Sequence, residues 1–518
     1  MNKFLKLLSE NENKIKVLLI IYAFYCSIVI GISWDERYYH KIGEINLKYL
    51  LSFGLVDEDF NLKYRYSTLY WSLSSLLSQI VPDKFSIEVH HIINTFFGLM
   101  VFIGVYQVIK KMFNKEIAKT SSYFLFFLPF FFGHLAINNK DIIIAFAHVW
   151  IIYYLIKYTI KEYSFQGRLL ILIKISVLTA LGTGIQLLFL GSLIPIVIIF
   201  LLNLIILKIK KLSEIFLDFT IFLILFYCIL ILFWVDTHQN IFVLPFKFFI
   251  NTLSLEVGWP FNLTNGKYTF SNDVPTRYLL INYLLKLPEY IIFLYVLAFP
   301  IIFFKYKKLK ESFNNFSNKL LIIIALILFP NLILIFITYS IYDGVRLFLW
   351  AMPYLVIIPA IAFYCIKNDQ RLIFIGIKII LIILFSFHVL NFIKITPFHY
   401  TFLNIFNGDV KNRYQKFEND YWSVSLKELI LSSNLSEKKI NFAVCGVNPL
   451  VAKTYMKQKY KNVEYTDINN ASYVIMTNRT LYSEKNQSIS NCFDEYNYES
   501  VVEVKRNGLI LSAIKKIK

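Results

Sequence analysis

The sequence predicts an all-α polytopic membrane protein with about eleven transmembrane helices and a small C-terminal α/β soluble domain. Three observations predict this class. Hydrophobic residues make up 57% of the 518 residues and charged residues only 17%, which is less charge than the surface of a soluble domain usually carries. The mean hydropathy is +0.56. After residue 394 the chain becomes too polar to span a bilayer.

Apolar runs recur along the first 394 residues. A spanning helix needs roughly 20 mostly apolar residues. About eleven runs approach that length, near residues 17–33, 90–108, 120–137, 142–157, 169–186, 187–207, 215–235, 288–304, 320–340, 347–366 and 372–393. The stretch 169–207 is a single run broken only at residues 182–186, and we interpret it as two spans joined by a tight hairpin.

The segments between these runs indicate which side of the membrane they face. Lysine and arginine are concentrated in the N-terminal tail and in residues 110–119, 157–168, 208–211, 305–319 and 366–371. With an odd number of spans these segments all fall on one side, which the positive-inside rule makes cytoplasmic. The bias toward Lys, Asn and Ile is typical of an AT-rich, most simply bacterial, genome. We therefore expect a bacterial inner-membrane protein whose N-terminus is cytoplasmic.

The opposite, extracytoplasmic side then receives the remaining connections and the C-terminal part. The outer loops are residues 34–89, 137–141, 236–287 and 340–346. We therefore divide the chain into a membrane module, residues 1–395, whose outer loops hold the candidate site, and an extracytoplasmic C-terminal domain, residues 396–518.

The C-terminal domain has the pattern of a small α/β fold. Residues 440–446, 448–460, 463–467 and 471–478 predict a strand, a helix and two further strands. A hairpin is predicted at Asn507-Gly508. Cys445 and Cys492 both lie in this domain, and the sequence leaves open whether they form a disulfide.

The positive charge of the chain does not indicate nucleic-acid binding. The formal net charge is +19, from 53 Lys and Arg against 34 Asp and Glu. No stripe of basic residues lies along an amphipathic helix, and no nucleic-acid-binding motif occurs. The basic residues instead lie in the loops that orient the chain, so we expect membrane lipids as partners and no nucleic acid.

Acidic residues gather where the predicted spans end on the outer side, beginning with Asp35 and Glu36 after the first apolar run. Few ionisable groups lie inside the spans, whereas an ion-coupled transporter usually places such groups near the middle of the bilayer. The distribution favours an enzyme that works at the membrane surface. An aspartate there can act as general base for an acceptor hydroxyl.

Cations on the same side complete this hypothesis. If the donor is a sugar on a lipid phosphate, the leaving group is a stabilised anion that needs cations rather than a general acid. Lys140, Arg277 and Arg346 are the candidates for binding that phosphate, and arginine can hold phosphate through paired hydrogen bonds. One base and a phosphate clamp predict direct displacement with inversion, because adjacent Asp35 and Glu36 cannot flank a glycosidic bond as hydrolase carboxylates do.

The acid pair is followed, in order, by four further segments on the outer side. They are GHLAINNKDIIIAF (133–146), WPFNLTNGKYTFSNDVPTRYLL (259–280), YDGVRLFLWAMP (342–353) and HYTFLNIFNG with FENDYWSVSLKEL (399–408 and 417–429). Together they resemble motifs of the GT-C membrane glycosyltransferases, and in particular of bacterial relatives of the dolichyl-phosphate-mannose protein mannosyltransferases. Asn139 stands where that family usually has proline.

The resemblance implies a GT-C-like fold, a polyprenyl-phosphate sugar as donor, and Asp35 as the catalytic base with Glu36 organising the site. The acceptor hydroxyl stays open among a protein, a lipid and a polysaccharide. Some members of that family use a divalent metal such as Mg²⁺ or Mn²⁺ and others do not. Because no His/Cys cluster has ligand spacing here, no cofactor is predicted outright.

Asp141, Asp273, Asp343 and His40 are the supporting candidates of the site. Each also has an ordinary structural interpretation. Asp141 is placed to cap a helix, and Asp343 to start a turn. Asp273 lies in a loop of the surface, and His40 is an interfacial polar residue.

Two other functions are alternatives to a glycosyltransferase. A flippase or transporter of lipid-linked saccharides would share the carrier but not the chemistry, and it requires a polar path through the bundle. A non-enzymatic scaffold would use the C-terminal domain to bind a partner. It would depend on the residues after 430 and not on Asp35.

Overall fold

Helices form most of the chain in the computed structural model, which describes residues 11–55, 66–160, 162–206, 211–254, 258–336, 340–484 and 487–517. Some predictions lie outside the described residues. These are the basic residues of the N-terminal tail up to residue 10, residues 56–65 of the first outer loop, and residues 208–210 of one basic loop.

The helices of the membrane module follow one another with short connections. They are α1 (Glu12–Val29), α2 (Glu36–Leu51), α3 (Leu69–Ser78), α4 (Ser86–Met112), α5 (Lys115–Phe126), α6 (Pro129–Phe132), α7 (Asp141–Ile160), α8 (Phe165–Ile185), α9 (Phe189–Ile206), α10 (Leu212–Leu232), α11 (Leu244–Ser254), α12 (Tyr278–Lys286), α13 (Glu289–Phe304), α14 (Tyr306–Ser312), α15 (Phe316–Phe336), α16 (Met352–Leu355), α17 (Ile357–Lys367) and α18 (Leu372–Lys394). A small hairpin, β1 (Phe261–Thr264) and β2 (Lys267–Phe270), precedes α12.

Seven helical stretches in the described part of the chain are long and apolar enough to cross a membrane, and α12 with α13 would make an eighth. The seven are Asp83–Met112, Asp141–Ile160, Phe165–Ile185, Leu212–Leu232, Phe316–Phe336, Arg346–Lys367 and Leu372–Lys394. Every apolar run of the sequence overlaps a helix. The protein is therefore an integral, multi-pass membrane protein, as predicted.

The structure also explains why fewer helices meet the length criterion than the sequence has apolar runs. α1 begins with charged residues, Glu12 among them, so its apolar part is shorter than the helix. α5 ends at Phe126, and Leu128 is extended before Pro129, which restarts a short helix. The apolar helix that begins at Phe189 is also short.

A sharp bend separates α12 from α13. Leu287 is extended, as expected for the residue before a proline, and Pro288 is the N-cap of α13. The two helix axes differ by 115°. The bend leaves Lys286 at the end of α12, on the side of the bundle where the C-terminal domain packs. We call this side the domain-facing end.

The C-terminal domain contains a five-stranded sheet with the order β4-β3-β5-β9-β8. Its helices and strands are α19 (Leu426–Ser432), β3 (Ile440–Cys445), α20 (Pro449–Lys459), β4 (Val463–Tyr465), β5 (Tyr473–Thr477), β6 (Thr480–Ser483), β7 (Ser488–Asn491), α21 (Cys492–Glu495), β8 (Ser500–Arg506) and β9 (Leu509–Lys516). The strands β4, β3 and β5 are parallel, and β9 is antiparallel to β5 and β8. The predicted strand–helix–strand–strand order is confirmed.

The predicted hairpin is also confirmed. Arg506 pairs with Leu509 across the turn between β8 and β9. The turn residues Asn507 and Gly508 both have positive φ, 49° and 81°, which asparagine and glycine adopt more readily than other residues.

Cys445 and Cys492 form a disulfide, a question that the sequence leaves open. The bond joins the end of β3 to the start of α21. The backbone N–H of Cys492 also donates to the carbonyl of Arg479, at 3.0 Å. The segment that carries Arg479 is therefore held against the end of the sheet.

The C-terminal domain shares a hydrophobic core with the connection that follows α1. Ile30 and Ile32 of that connection are buried with Trp422, Leu426 and Tyr455. The first outer loop is therefore packed between the bundle and the domain rather than free in solvent.

Close backbone packing at the domain-facing end predicts a strong effect of Gly133→Ala. A Cβ on Gly133 would lie 2.1 Å from the backbone nitrogen of Tyr400, whereas a Cβ on Gly376 in α18 would meet nothing within 4 Å. We expect Gly133→Ala to lower the free energy of unfolding by about 1–3 kcal/mol and Gly376→Ala to leave it unchanged or higher. Unfolding of the detergent-purified variants measures this, and equal stability of the two variants would contradict the packing.

Candidate active site

Asp35 takes the N-cap position of α2 and presents an available carboxylate. Its side chain makes no capping hydrogen bond and is exposed. The charge of Asp35 affects the pKa of the nearby Tyr39 hydroxyl. Burial raises the pKa of Tyr39, Lys140 opposes this increase, and Tyr66 and Asp35 raise the pKa further. Asp35 and Lys140 therefore face the same phenol.

Glu36 is buried, with 3% of its surface exposed, and its carboxylate is engaged on both oxygens. The backbone N–H of Ser33 donates to Oε2 at 3.0 Å, and Nε2 of His91 lies 2.8 Å from Oε1. Nδ1 of His91 donates to the carbonyl of Ser27 at 2.9 Å, which orients the second ring nitrogen toward Glu36. Glu36 thus holds the loop beside Asp35 and does not point to a substrate.

His40 belongs to the same buried network. Its Nε2 lies 3.7 Å from Oε1 of Glu36, and its ring stacks on His90 with 3.6 Å between the ring centroids. Burial, followed by His90 and His91, lowers the pKa of His40 well below its usual value. His40 is therefore neutral at pH 7, and its ring packs against His90 inside the protein.

Lys140 lies over two aromatic rings at the start of α7. Its Nζ is 4.6 Å from the ring centroid of Tyr66 and 5.2 Å from that of Tyr39, distances typical of cation–π contacts. Asp141 does not cap the helix, contrary to one interpretation of the sequence. Asn138 supplies the capping oxygen, which accepts from the N–H of Asp141 at 2.8 Å, while the carboxylate of Asp141 accepts from the Asn138 side chain.

Asp343 pairs with two arginines. Nη1 of Arg479, in the C-terminal domain, donates to Oδ1 at 2.6 Å, and Nε of Arg346 lies 3.3 Å from Oδ2. The Arg346 guanidinium also lies 4.9 Å from the ring centroids of both Tyr342 and Trp422. Asp343 itself has a φ of 59°, a left-handed conformation that aspartate tolerates in turns.

These contacts form a closed loop of neighbours that we call the charged ring. It consists of Asp35, Tyr39, Lys140, Asp141, Arg346, Asp343, Arg479 and Trp34. Arg346 interacts electrostatically with Asp141, and the Arg479 guanidinium is 5.9 Å from the ring centroid of Trp34, which precedes Asp35. The side with Asp35, Lys140 and Trp34 is open, and the side with the arginines is buried.

Lys286 and Arg479 are candidate residues that the sequence patterns do not indicate. Lys286 ends an apolar helix shortly before Pro288. A lysine in that position is a signal that could have identified it as a candidate site residue. Arg479 lies between two predicted strands, where an arginine is usually a solvated surface residue. Only the docking of the domain brings it to the ring.

Lys286 is a buried cation next to the buried side of the charged ring. Its Nζ lies 4.9 Å from the ring centroid of Phe417 and 5.3 Å from that of Phe130. A Cβ on Gly344 would lie 2.4 Å from the same Nζ, so a larger residue there would displace the ammonium group. Asp343 and Glu418 supply the negative charge that offsets it.

Glu418 connects the cluster to the start of β6. Its Oε1 accepts from the backbone N–H and the hydroxyl of Thr480, at 3.0 Å and 2.9 Å. Burial raises the pKa of Glu418, Arg479 opposes this increase, and Asp343 adds to it. This residue therefore holds the segment before α19 against the start of β6.

The buried side of the ring has unused hydrogen-bonding capacity within the described part of the chain. Nε of Arg346 and Nε of Arg479 are buried without a hydrogen-bond partner, and so are Oδ1 of Asn282 and both polar atoms of the Asn419 side chain. Buried polar groups are nearly always satisfied in native proteins. The unpartnered nitrogens of the two arginines are therefore available to a polar ligand.

Asp273 and Arg277 are not brought into the ring. Both are exposed in the loop that follows β2. Arg277 takes the N-cap position of α12 without a side-chain capping bond. No hydrogen bond or ion pair joins either side chain to a member of the ring in the described structure.

The described residues do not provide a metal site. No group of three His, Cys, Asp or Glu side chains is arranged to hold an ion in this part of the chain. The buried acids of the cluster are paired instead, Asp343 with Arg346 and Arg479, and Glu36 with His91. These paired side chains do not fit a divalent cation.

The buried pair of Glu36 and His91 predicts a non-additive effect on stability. His91→Leu leaves an unpaired buried acid and should cost about 3–5 kcal/mol, whereas His91→Leu combined with Glu36→Leu should cost less than the two single changes summed. The exposed pair of Lys48 and Glu44, with 64% and 50% of the side chains exposed, is the control and should show no coupling. Unfolding of the detergent-purified proteins measures both cycles. Simple additivity at Glu36 and His91 would disprove the pairing.

Neither a family model nor a curated protein matches this sequence. Solved structures do resemble it. ArnT from Cupriavidus metallidurans bound to undecaprenyl phosphate superposes with a TM-score of 0.50 over 96% of this chain and 96% of its own, at 11% identity. The apo state of the same protein gives a TM-score of 0.49.

An oligosaccharyltransferase from Archaeoglobus fulgidus, tethered with an acceptor peptide, has a TM-score of 0.45 at 11% identity over 90% of this chain and 70% of its own. ArnT and this oligosaccharyltransferase are both GT-C membrane glycosyltransferases. The superposition on ArnT covers both the membrane module and the C-terminal domain. The chain has the GT-C fold.

Proposed function

We propose that the protein is a membrane glycosyltransferase that moves a sugar from a polyprenyl-phosphate carrier to an acceptor hydroxyl on the extracytoplasmic face. One observation carries the proposal: within the charged ring, the exposed carboxylate Asp35 and the half-buried cation Lys140 both interact with Tyr39, and Arg346 lies on the buried side. The fold supports it, since ArnT, which shares that fold, was solved with undecaprenyl phosphate bound.

The chemistry needs one base and a stabilised leaving group. Asp35 accepts the proton of the acceptor hydroxyl while that oxygen attacks the anomeric carbon of the donor sugar. The bond from the anomeric carbon to the phosphate oxygen breaks, and its electron pair leaves with the polyprenyl phosphate. Attack opposite the leaving group inverts the anomeric centre.

Two cations hold the departing phosphate. Lys140 supplies a charge held over Tyr39 and Tyr66. Arg346 supplies a buried guanidinium that is paired with Asp343 and whose Nε has no hydrogen-bond partner among the described residues. Donors that are already desolvated and fixed stabilise a developing anion more strongly than donors in water.

The proposed orientation places the ring and the C-terminal domain outside the cytoplasm. The basic connections lie at the opposite end of the spans, as the positive-inside rule requires. The disulfide between Cys445 and Cys492 supports the same side, because disulfides persist in oxidising compartments. In this proposal residues 1–395 form the catalytic membrane module of a bacterial inner-membrane enzyme, and residues 396–518 form its outer domain.

Two polar residues within the bundle, His148 and Asn94, give no support to a transporter. Nδ1 of His148 lies 2.7 Å from the Tyr354 hydroxyl, and the side chain of Asn94 bonds to Tyr70 and to the carbonyl of Leu135. These groups are satisfied within the protein and do not line a path. Movement of a lipid-linked saccharide across reconstituted vesicles without glycosidic-bond formation would favour transport instead.

Asp35→Asn should abolish turnover. The substitution keeps the shape of the side chain and removes its basicity, so we expect kcat to fall by about 10²–10⁴-fold. Asp83→Asn, which changes an exposed acid of the same outer loop, is the matched control and should keep full activity. Transfer from a purified polyprenyl-phosphate sugar measures both variants, and wild-type turnover by Asp35→Asn would rule out this base.

Lys140→Met and Arg346→Lys should weaken donor binding. Methionine removes the charge at position 140, and lysine keeps the charge at position 346 but loses the planar fork. We expect KM for the lipid-linked donor to rise about 10-fold or more in each variant, with a matching loss of inhibition by free polyprenyl phosphate. Lys267→Met, at the exposed start of β2 in the outer hairpin, should change neither value. If free polyprenyl phosphate inhibits Lys140→Met and Arg346→Lys as strongly as the wild type, the proposed phosphate site is wrong.

A further inference from the structure

The loop that carries Asp35 is held by its backbone and not by its carboxylate. The Asp35 side chain makes no capping hydrogen bond, so the position of the carboxylate depends on where residues 31–34 are fixed. Displacements of about 1 Å between reacting groups can cost two orders of magnitude in rate. Whatever fixes this backbone therefore controls the proposed reaction.

Part of the support comes from the membrane module. The hydroxyl of Ser33 donates to the carbonyl of Ile137 at 3.1 Å. The backbone N–H of Ser33 donates to Glu36, which is itself paired with His91. These contacts hold the middle of the loop from the side of the bundle.

The other part comes from the C-terminal domain. The hydroxyl of Tyr455 accepts a hydrogen bond from the backbone N–H of Ile32 at 2.9 Å, and this contact is buried. Nδ2 of Asn448 donates to the carbonyl of Trp34 at 2.8 Å, one residue before Asp35. Tyr455 lies in α20, the helix between β3 and β4, and Asn448 is the N-cap of the same helix.

The domain also approaches the loop closely enough to exclude a larger residue. A Cβ on Gly31 would lie 2.3 Å from the carbonyl oxygen of Val424 and 3.0 Å from Cβ of Lys427. Residues 31–34 are therefore enclosed between the bundle and the domain, with polar contacts on both sides.

The domain that supplies these contacts is itself anchored beside the ring. Arg479 donates to Asp343 at 2.6 Å. Nε1 of Trp259 donates to the carbonyl of Thr480 at 3.1 Å. Within the domain, the side chain of Asn478 accepts from the backbone N–H of Asn419 at 2.9 Å. A movement of the domain relative to the bundle would break the contacts of Arg479 and Trp259, so these contacts hold α20 in place.

From this geometry we infer that Tyr455 and Asn448 are positioning residues of the active centre, which makes the C-terminal domain a part of the catalytic unit. The inference rests on the proposed function, because it assigns the two residues to the reaction of Asp35. They act through the loop backbone and touch neither the donor nor the acceptor. Their loss lowers kcat and leaves KM for the donor unchanged, since Lys140 and Arg346 are untouched.

Two substitutions test this with minimal disturbance. Tyr455→Phe removes the hydroxyl that accepts from Ile32 and keeps the ring. Asn448→Asp keeps the oxygen that accepts from the N–H of Leu450 at 2.9 Å and removes the N–H that donates to Trp34. We expect kcat to fall about 10-fold in each variant, with KM for a polyprenyl-phosphate sugar within about 2-fold of wild type.

Tyr460→Phe is the matched control. The hydroxyl of Tyr460 accepts from the backbone N–H of Leu435 at 3.0 Å, so it makes the same kind of contact inside the same domain but away from the loop. Hydrogen–deuterium exchange of the peptide covering residues 30–36, on full-length protein in detergent, gives a second measurement that does not depend on transfer activity. We expect faster exchange in Tyr455→Phe and wild-type exchange in Tyr460→Phe.

The results separate the two proposals. A lower kcat with faster exchange in the Tyr455 and Asn448 variants, together with a normal Tyr460→Phe, supports the positioning role. Wild-type kcat in Tyr455→Phe, or an equal loss in Tyr460→Phe, overturns it while leaving Asp35 as the base. Absence of transfer by the wild-type protein overturns the proposed function, and exchange at residues 30–36 then decides alone whether α20 holds the loop.

Discussion

The carboxylate of Asp343 is shared by Arg346, at the start of a membrane helix, and by Arg479, from the C-terminal domain. All three side chains are buried, and a buried charge is tolerated only when it is paired and hydrogen-bonded. Removing any partner would leave an uncompensated charge between the bundle and the domain. The relative position of the two parts of the chain, and with it the geometry of the outer loops, depends on this interaction.

Because the buried acids of the site are paired, the charges on the exposed side of the charged ring remain available to a substrate. Asp343 and Glu36 each have fixed buried partners, whereas Asp35 is exposed and has no capping contact. An acid without a structural partner, beside a cation held over aromatic rings, is the kind of group that a reaction can use. The adjacent acids of the sequence therefore have different roles: Glu36 supports the loop and Asp35 faces outward.

Much of the fold follows from periodicity and local chemistry. The apolar runs predict the helices, the proline at position 288 explains the bend before α13, and Asn507-Gly508 predicts the hairpin of the C-terminal domain, because each of these signals acts over a few neighbouring residues. The candidate site is only partly predictable in this way. Arg277 looked equivalent to Arg346 in the sequence, yet it is exposed outside the ring, and Arg479 gave no local signal at all.

The sequence by itself determined that the chain is a membrane protein with a polar α/β domain and that acids and cations lie at outer helix ends, since hydropathy and turn preferences are local properties. Only the tertiary structure decided which of these charges meet. Asp343 and Arg479 are separated by 136 positions in the chain, and no local preference encodes a contact over that distance. Burial selects it, because each charge can leave water only where the other is already in place.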